Sequence, residues 1–462
     1  MIKSKFALSR HPLTPPAASL SQHEQATLAK AYRTARNGWL YLHIEGAPEE
    51  RGFQHGYLMA AEIREILEMT RFVTKFSTGE EFDYFADEAM KMYPNLLDDE
   101  IIAEIKGIAE GSTKAGVPLS FAQALAWNAN IEMMWSWWPM VKGKPPGGRL
   151  LRHHHCSAFI ATGKGITQDG GIVLAHNTWD TFLNSNAFRL MLDIAPACGH
   201  RILMQSAPGL IHSGTDFFVT AGGLVGCETT IAGFSGYDAT KLPEFYRVRR
   251  AMQYANDLGQ WIKTMTDKNN GGYANCWLIG DIKTSEIGRL ELGLKYAGIE
   301  RSKKGYFWGC NLVVDPRIRN QECSGVDYSD VMANAGRRVR WESLLERNSG
   351  KINRAVAQKM IADHYDAAVR KNNPSTRSIC GHFDCDPAET VGWGFGPFEP
   401  YGANDAKITD TRLAKDMSLL ARFGRPCGTK FDAKAFLKKH PQYAWQEGFL
   451  RSRPKRPWTR FP

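Results

Sequence analysis

The run Arg152-His153-His154-His155-Cys156-Ser157-Ala158-Phe159-Ile160 places a thiol at the start of a short apolar stretch, deep inside the chain. A turn and a second short stretch ending His176-Asn177-Thr178-Trp179-Asp180 complete a β-hairpin. Amide or ester cleavage needs an attacking group, a base that takes its proton, and donors that stabilise the tetrahedral oxyanion. If the chain were cut before Cys156, the new first residue would supply two of these parts. Its thiol attacks, and its free α-amine, with an unperturbed pKa of about 7.7–8.0, serves as base near neutral pH. Inside an intact chain the same nitrogen is an amide without that basicity, so the cut is the activating step. The thiol can make the cut itself by attacking the His155 carbonyl, moving the acyl group from nitrogen to sulfur and releasing the thioester to water. The competing reading is a buried structural thiol, a common fate for free cysteine.

The elements that position this hairpin follow from periodicity and punctuation. Helical patterns run over 21–36, 50–76, 83–92, 98–115 and 120–135, with Phe53, Tyr57, Ala60, Ile63 and Leu67 at helical spacing, and a strand is expected over 39–46. Val141-Lys142-Gly143-Lys144-Pro145-Pro146-Gly147-Gly148-Arg149 is a loop, since two prolines and three glycines cannot continue a helix or a central strand. Beyond it the texture turns to strands, at 156–162, 172–176, 188–194, 201–206, 216–220, 224–231, 273–281, 287–295 and 306–313. Turns fall at Asp169-Gly170-Gly171 and Pro208-Gly209, and helices at 244–265, 331–346 and 352–369. Runs of strands bracketed by runs of helices argue an α+β fold with packed sheets inside and helices outside.

Composition narrows the function classes. Over 462 residues, 43% hydrophobic and 23% charged, the chain reads as a folded globular protein. A formal charge of +10 favours anionic partners, but the basic tail Arg451-Ser452-Arg453-Pro454-Lys455-Arg456-Pro457 lacks interleaved aromatic platforms, which argues against nucleic acid. There is no transmembrane run, and prolines stand where a secretory core would be. Nine scattered cysteines fit reduced thiols, and a cytoplasmic location is expected.

Three other constellations compete for chemistry. His153-His154-His155 with Cys156 has zinc-ligand residue types but no partner motif, and reads as the cleavage loop. Cys380, His382, Asp384, Cys385 and Asp386 form a denser group, taken as a polar turn, so no metal or organic cofactor is expected. Gly163-Lys164-Gly165 fits no phosphate-binding fingerprint and reads as a hairpin turn. The patch from Met133 to Met140 either packs in the core or lines an acyl pocket.

Several ordered blocks carry a resemblance. Gly52-Phe53-Gln54-His55-Gly56, Cys156-Ser157-Ala158-Phe159-Ile160, Ala175-His176-Asn177-Thr178-Trp179-Asp180 and Ala207-Pro208-Gly209-Leu210-Ile211-His212-Ser213 are four of them. Gly223 to Ile231, Asn270-Gly271-Gly272-Tyr273-Ala274-Asn275-Cys276-Trp277 and Pro400 to Lys407 complete the set. Together they resemble the phospholipase B-like family of N-terminal nucleophile (Ntn) hydrolases, and Ser378-Ile379-Cys380-Gly381-His382 resembles a motif of the related isopenicillin-type acyltransferases.

The resemblance implies an αββα sandwich with a mostly helical N-terminal segment, and self-cleavage between His155 and Cys156. The fragments 1–155 and 156–462 would stay associated as one structural unit. The implied activity is hydrolysis or transfer of an acyl group held as an amide or ester, with a small-molecule and possibly lipid substrate. By position, Cys156 is nucleophile and base, and Asn275 donates to the oxyanion. His176, Asn177, Trp179 and Asp180 flank the thiol, with Glu228 and Thr229 near the pocket. The family also implies lysosomal or secreted relatives. Related cysteine amidases carry an Arg-Asn-x-Asp run on the second hairpin strand. Here that run begins His176-Asn177 and its acid, Asp180, is displaced by one residue, which in a strand moves a side chain to the opposite face. The alternative from another class is a non-catalytic lipid-binding protein that keeps the fold without maturing.

Overall fold

The computed structural model describes residues 20–142, 156–214, 217–332, 335–388 and 396–462. The expected cleavage loop and His153 to His155 lie outside the described residues. Nine strands form the first sheet, in spatial order Tyr32–Arg36, Trp39–Gly46, Leu190–Pro196, Ile202–Ser206, Phe217–Thr220, Leu224–Thr230, Asn275–Asp281, Glu286–Leu292 and Ala297–Ser302. Six form the second: Gly305–Gly309, Ser157–Thr162, Val173–Asn177, Asp405–Asp410, Leu419–Phe423 and Thr459–Phe461.

Period-two alternation sorts the side chains of both sheets into layers. Ala158, Ile160 and Leu174 of the second sheet face Val225, Cys227 and Leu278 of the first, forming the core between sheets. Their neighbours Phe159, Ala161, Val173 and Ala175 turn the other way, onto Trp341, Leu345 and Met360 of helices Ala335–Arg347 and Arg354–Ile361. On the far side of the first sheet, Leu190, Leu192, Trp277 and Ile279 pack against Ile63, Leu67, Ile105 and Ile108 of helices Ala60–Thr78 and Asp99–Lys114. The order is helix, sheet, sheet, helix: the expected αββα architecture. No helix among the described residues is long and apolar enough to cross a membrane.

Several expected elements need correction; the helix expected over 352–369, for one, ends at Ile361 and is followed by the short strand Tyr365–Asp366. Residues 30–36 are not helical: helix Gln22–Ala29 ends, and Tyr32–Arg36 turns back on Trp39–Gly46. Asn37 and Gly38 both have positive φ, 51° and 90°, which the two-residue hairpin turn requires and which Asn-Gly supplies. The helix expected over 50–76 is two, Pro48–Leu58 and Ala60–Thr78, separated at Met59. The helix expected over 244–265 is also two, Glu244–Tyr254 and Leu258–Thr266, the second capped by the Asp257 side chain accepting from the Gln260 N–H.

Trp39–Gly46 pairs in parallel with Leu190–Pro196, so residues before and after Cys156 share one sheet. The helical layer over this sheet is drawn together by glycines. A Cβ at Gly52 would lie 2.2 Å from the Glu104 carbonyl oxygen, one at Gly56 2.0 Å from that of Ile108, and one at Gly111 2.2 Å from that of Phe53. Helices Pro48–Leu58 and Asp99–Lys114 therefore touch backbone to backbone. Buried Glu104 sits at this contact, held by Arg51 (2.6 Å) and Arg249 (2.9 and 3.0 Å). Gly56→Ala forces the helices apart and is expected to lower stability by about 2 kcal/mol or more. A urea midpoint equal to the parent's would contradict this account of the contact.

Candidate active site

Cys156 stands immediately before the Ser157–Thr162 strand and is 2% exposed. It has the parity of Ala158 and Ile160, whose side chains enter the core between the sheets. Its carbonyl oxygen accepts from Arg337 Nη1 at 2.8 Å. The same nitrogen donates to Ser157 Oγ at 3.2 Å, and Nη2 donates to Asn311 Oδ1 at 2.8 Å. The guanidinium lies over the Trp179 ring, 4.3 Å from its centroid. An arginine thus reaches Cys156, though from helix Ala335–Arg347 and not from the second hairpin strand. Sequence reasoning missed it, because 181 residues separate Arg337 from Cys156 and no local spacing links them.

The expected site residues divide between faces. Asn275 opens the Asn275–Asp281 strand opposite Thr230, whose carbonyl accepts from Asn311 Nδ2 at 2.8 Å. Asn311 thereby joins the Asn275 end of the first sheet to Arg337 and Cys156. The Asn275 carboxamide nitrogen is buried with no hydrogen-bond partner among the described residues, as is the Thr229 hydroxyl. Thr229 faces the second sheet, its Oγ1 2.6 Å from where a Cβ on Gly309 would lie, and Gly309 pairs with Ala158. Asn275 has the opposite parity, that of Trp277 and Ile279 on the helix side.

His176 is wholly buried, and burial together with the charge of Lys407 pushes its pKa well down, so it is a neutral imidazole. Lys407 is itself buried and pairs with Asp405 at 2.8 Å. Asp405 in turn accepts from Gln205 Nε2 at 2.8 Å, which ties the two sheets together. Asn177 turns outward, its amide nitrogen donating to the carbonyls of Ile361 (2.8 Å) and Ile379 (3.2 Å), so it straps the hairpin to the helical layer. Trp179 lies between Arg337 and the Gly381 backbone, a packing position. Glu228 accepts from Tyr273 Oη at 2.7 Å.

Asp180 is placed differently, on the wall of a small cleft of about 60 Å³. Met69, Met134, Trp135, Leu210 and His212 line it with Asp180. Met133, Met134, Trp137 and Trp138 of the Met133–Met140 patch belong to the core, while Met134 and Trp135, on a π-helical turn, Met133–Trp137, also line the cleft. The Leu210 wall is fixed by the helical layer. Gly209 N–H donates to His55 Nε2 (2.9 Å), Trp127 Nε1 donates to the Pro208 carbonyl (3.0 Å), and Ile211 N–H donates to Asn128 Oδ1 (2.9 Å). Burial lowers the His55 pKa to about 4, which keeps that nitrogen an acceptor at neutral pH.

Asp180 is buried, and desolvation raises its pKa to about 7 against hydrogen bonds from the Thr181 N–H and the Asn184 amide. An acid with a raised folded-state pKa holds its proton more tightly folded than unfolded. Its contribution is full below the unfolded value of 3.8 and is lost as pH rises to about 7. The loss is on the order of 4 kcal/mol by the linkage relation. Asp180→Asn is expected to raise the urea midpoint over the parent at pH 8 and to leave it unchanged near pH 4. A difference constant with pH would show that Asp180 does not titrate in this range.

Residues 115–308 match the family model described as Phospholipase B. The chain is 28% identical over 305 residues to the phospholipase B of Crotalus adamanteus, covering 59% of this chain and 52% of that one. To human phospholipase B-like 1 it is 23% identical over 363 residues, 70% and 63% of the two chains. The chain thus spans about half to two-thirds of the length of these relatives. Among solved structures, a mutant of the conjugated bile acid hydrolase from Clostridium perfringens aligns with 58% of this chain and 89% of its own, at 8% identity and a TM-score of 0.34. Over residues 115–308 the chain is thus similar to the phospholipase B-like proteins.

Proposed function

We propose that this chain is a self-processing cysteine hydrolase of the N-terminal nucleophile type, acting on an acyl group held as an amide or ester. The observation that carries the reading is the placement of Cys156. It is the residue before a fully buried hairpin strand, its carbonyl held by a buried arginine, at the sheet end where Asn275 and Thr229 carry unpartnered polar atoms.

In the intact chain the Cys156 sulfur attacks the His155 carbonyl carbon, and its proton passes to the departing amide nitrogen, which becomes the α-amine of Cys156. Water then hydrolyses the thioester, leaving a carboxylate on His155 and restoring the thiol. In the mature enzyme that amine takes the thiol proton as sulfur attacks the substrate carbonyl. The proton then goes to the leaving amine or alcohol, and water releases the acyl group. Asn275 Nδ2, at the start of its strand, is the donor assigned to the oxyanion. The names of the relatives point toward phospholipid esters, while the chemistry accepts an amide equally.

Because Trp39–Gly46 pairs with Leu190–Pro196, fragments 1–155 and 156–462 are held together by a shared sheet after cleavage. Purified protein is expected to show these two fragments in denaturing mass spectrometry and one species in size exclusion. Cys156→Ala is expected to remain a single inactive chain. Edman sequencing that begins elsewhere than Cys156, or a Cys156→Ala chain cut at the same bond, would refute self-processing. A chain that is never cut yet binds acyl lipids without turnover would instead establish the lipid-binding alternative.

A further inference from the structure

Around His382 the structure departs from the expected polar turn. Asp384, within 4.8 Å of His382 and Cys385, has its carboxylate paired with Arg425, whose Nη2 donates to it at 2.6 Å, and Asp386 accepts from the Thr376 N–H and hydroxyl, both at 3.0 Å. Cys380 and His382 instead meet two residues from distant segments, His364 and Cys427. The four ligand atoms all lie within 4.8 Å of one another. His382 Nε2 is 3.1 Å from His364 Nε2, 3.4 Å from Cys380 Sγ and 3.6 Å from Cys427 Sγ.

Hydrogen bonding does not account for this arrangement. An imidazole nitrogen has one in-plane site, either a lone pair or a hydrogen, and here three polar atoms crowd it at once. A central ion satisfies all four. With Zn–S of about 2.3 Å and Zn–N of about 2.05 Å, a tetrahedron puts nitrogen about 3.3 Å from nitrogen and sulfur about 3.6 Å from nitrogen. The three distances around His382 match those edges to within about 0.3 Å, before any ion draws the ligands in. Two thiolates and two neutral imidazoles also cancel a divalent charge, so a largely buried site carries no net charge.

We propose that His364, Cys380, His382 and Cys427 bind one zinc ion. With four protein ligands the site is closed and structural, with no position left for substrate. The Thr429 hydroxyl, 3.2 Å from Cys427 Sγ, and the turn closed by the Gly428 N–H on the Arg425 carbonyl (2.8 Å) hold the Cys427 ligand. The ion pins Gly381 between two of its ligands, and Gly381 lies against the ring of Trp179, where a Cβ would be 2.5 Å from the indole. The same ring carries Arg337, which holds the Cys156 carbonyl. Zinc thereby backs the wall on which Arg337 is stacked. The inference stands on the ligand geometry alone and does not require the chain to be a hydrolase.

The test is elemental analysis of the full chain purified without chelator from zinc-supplemented cells. About one zinc per chain is expected, falling at least tenfold in Cys427→Ala and Cys380→Ala and unchanged in Cys385→Ser and Asp384→Asn. If the ligand variants do not fold, cobalt exchanged into the parent reports instead. A tetrahedral visible spectrum with thiolate charge-transfer bands supports the site. Parent protein with less than about a tenth of an equivalent of zinc overturns it. A Cys380–Cys427 disulfide in the metal-free protein, or zinc lost in Cys385→Ser and kept in Cys427→Ala, also overturns it.

Discussion

The guanidinium of Arg337 is the interaction on which the site's geometry depends. It is fully buried, and desolvation lowers its pKa against the stabilising charge of its neighbours. A buried cation is tolerated only when its donors are satisfied. Here the carbonyl of Cys156, the hydroxyl of Ser157 and the amide oxygen of Asn311 accept from it, while the Trp179 face lies under it. Those acceptors come from the start of the Ser157–Thr162 strand and from the segment after Gly305–Gly309, and Asn311 reaches on to Thr230 in the opposing sheet. One side chain therefore fixes the relative position of both sheets at the end where the thiol stands. Removing it would strand three acceptors inside the protein, a loss larger than any single hydrogen bond.

The helical layer has a different task. It makes no part of the nucleophile hairpin, yet its glycine contact brings Pro48–Leu58 close enough for His55 to reach the Gly209 N–H. With Trp127 and Asn128 this shapes the 208–212 loop that walls the cleft. The Gly52-Phe53-Gln54-His55-Gly56 block has a physical explanation in these contacts. Gly52 and Gly56 serve the helix contact, His55 supports the loop, and Gln54 Nε2 donates to the Thr27 and Glu45 carbonyls to seat the helix on the first sheet.

What was legible in the sequence was local. The hairpin of Ser157–Thr162 and Val173–Asn177 and most strands of the first sheet announce themselves through alternation and turn residues. The strand Asp405–Asp410 did not, and the reason is physical. Its Asp405, Lys407 and Thr409 look like a solvated face, but they point between the sheets, where Lys407 pairs with Asp405 beside His176. A polar pattern that normally marks the surface here marks a buried network. Asn37-Gly38 carried a clear hairpin signal that the helical spacing of the preceding residues obscured. Arg337, His364 and Cys427 were invisible for another reason: each meets its partners only through the folded topology.

The layered arrangement also limits where chemistry can occur. Each sheet is covered on one face by helices and on the other by its partner, so no substrate reaches the middle of a strand. Only strand ends remain. The starts of Ser157–Thr162 and Asn275–Asp281 and the ends of Val173–Asn177 and Leu224–Thr230 come together through the pairings Ser157 with Asn177 and Asn275 with Thr230, bridged by Asn311 and Arg337. A nucleophile fused to a preceding chain at that end has its backbone nitrogen committed to an amide. On the proposed reading, breaking that peptide would supply a base beside the thiol and leave the pairing of the Ser157–Thr162 strand unchanged. On that reading, placing Cys156 first in a buried strand would allow a single bond cleavage to create the catalytic base without refolding the chain around it.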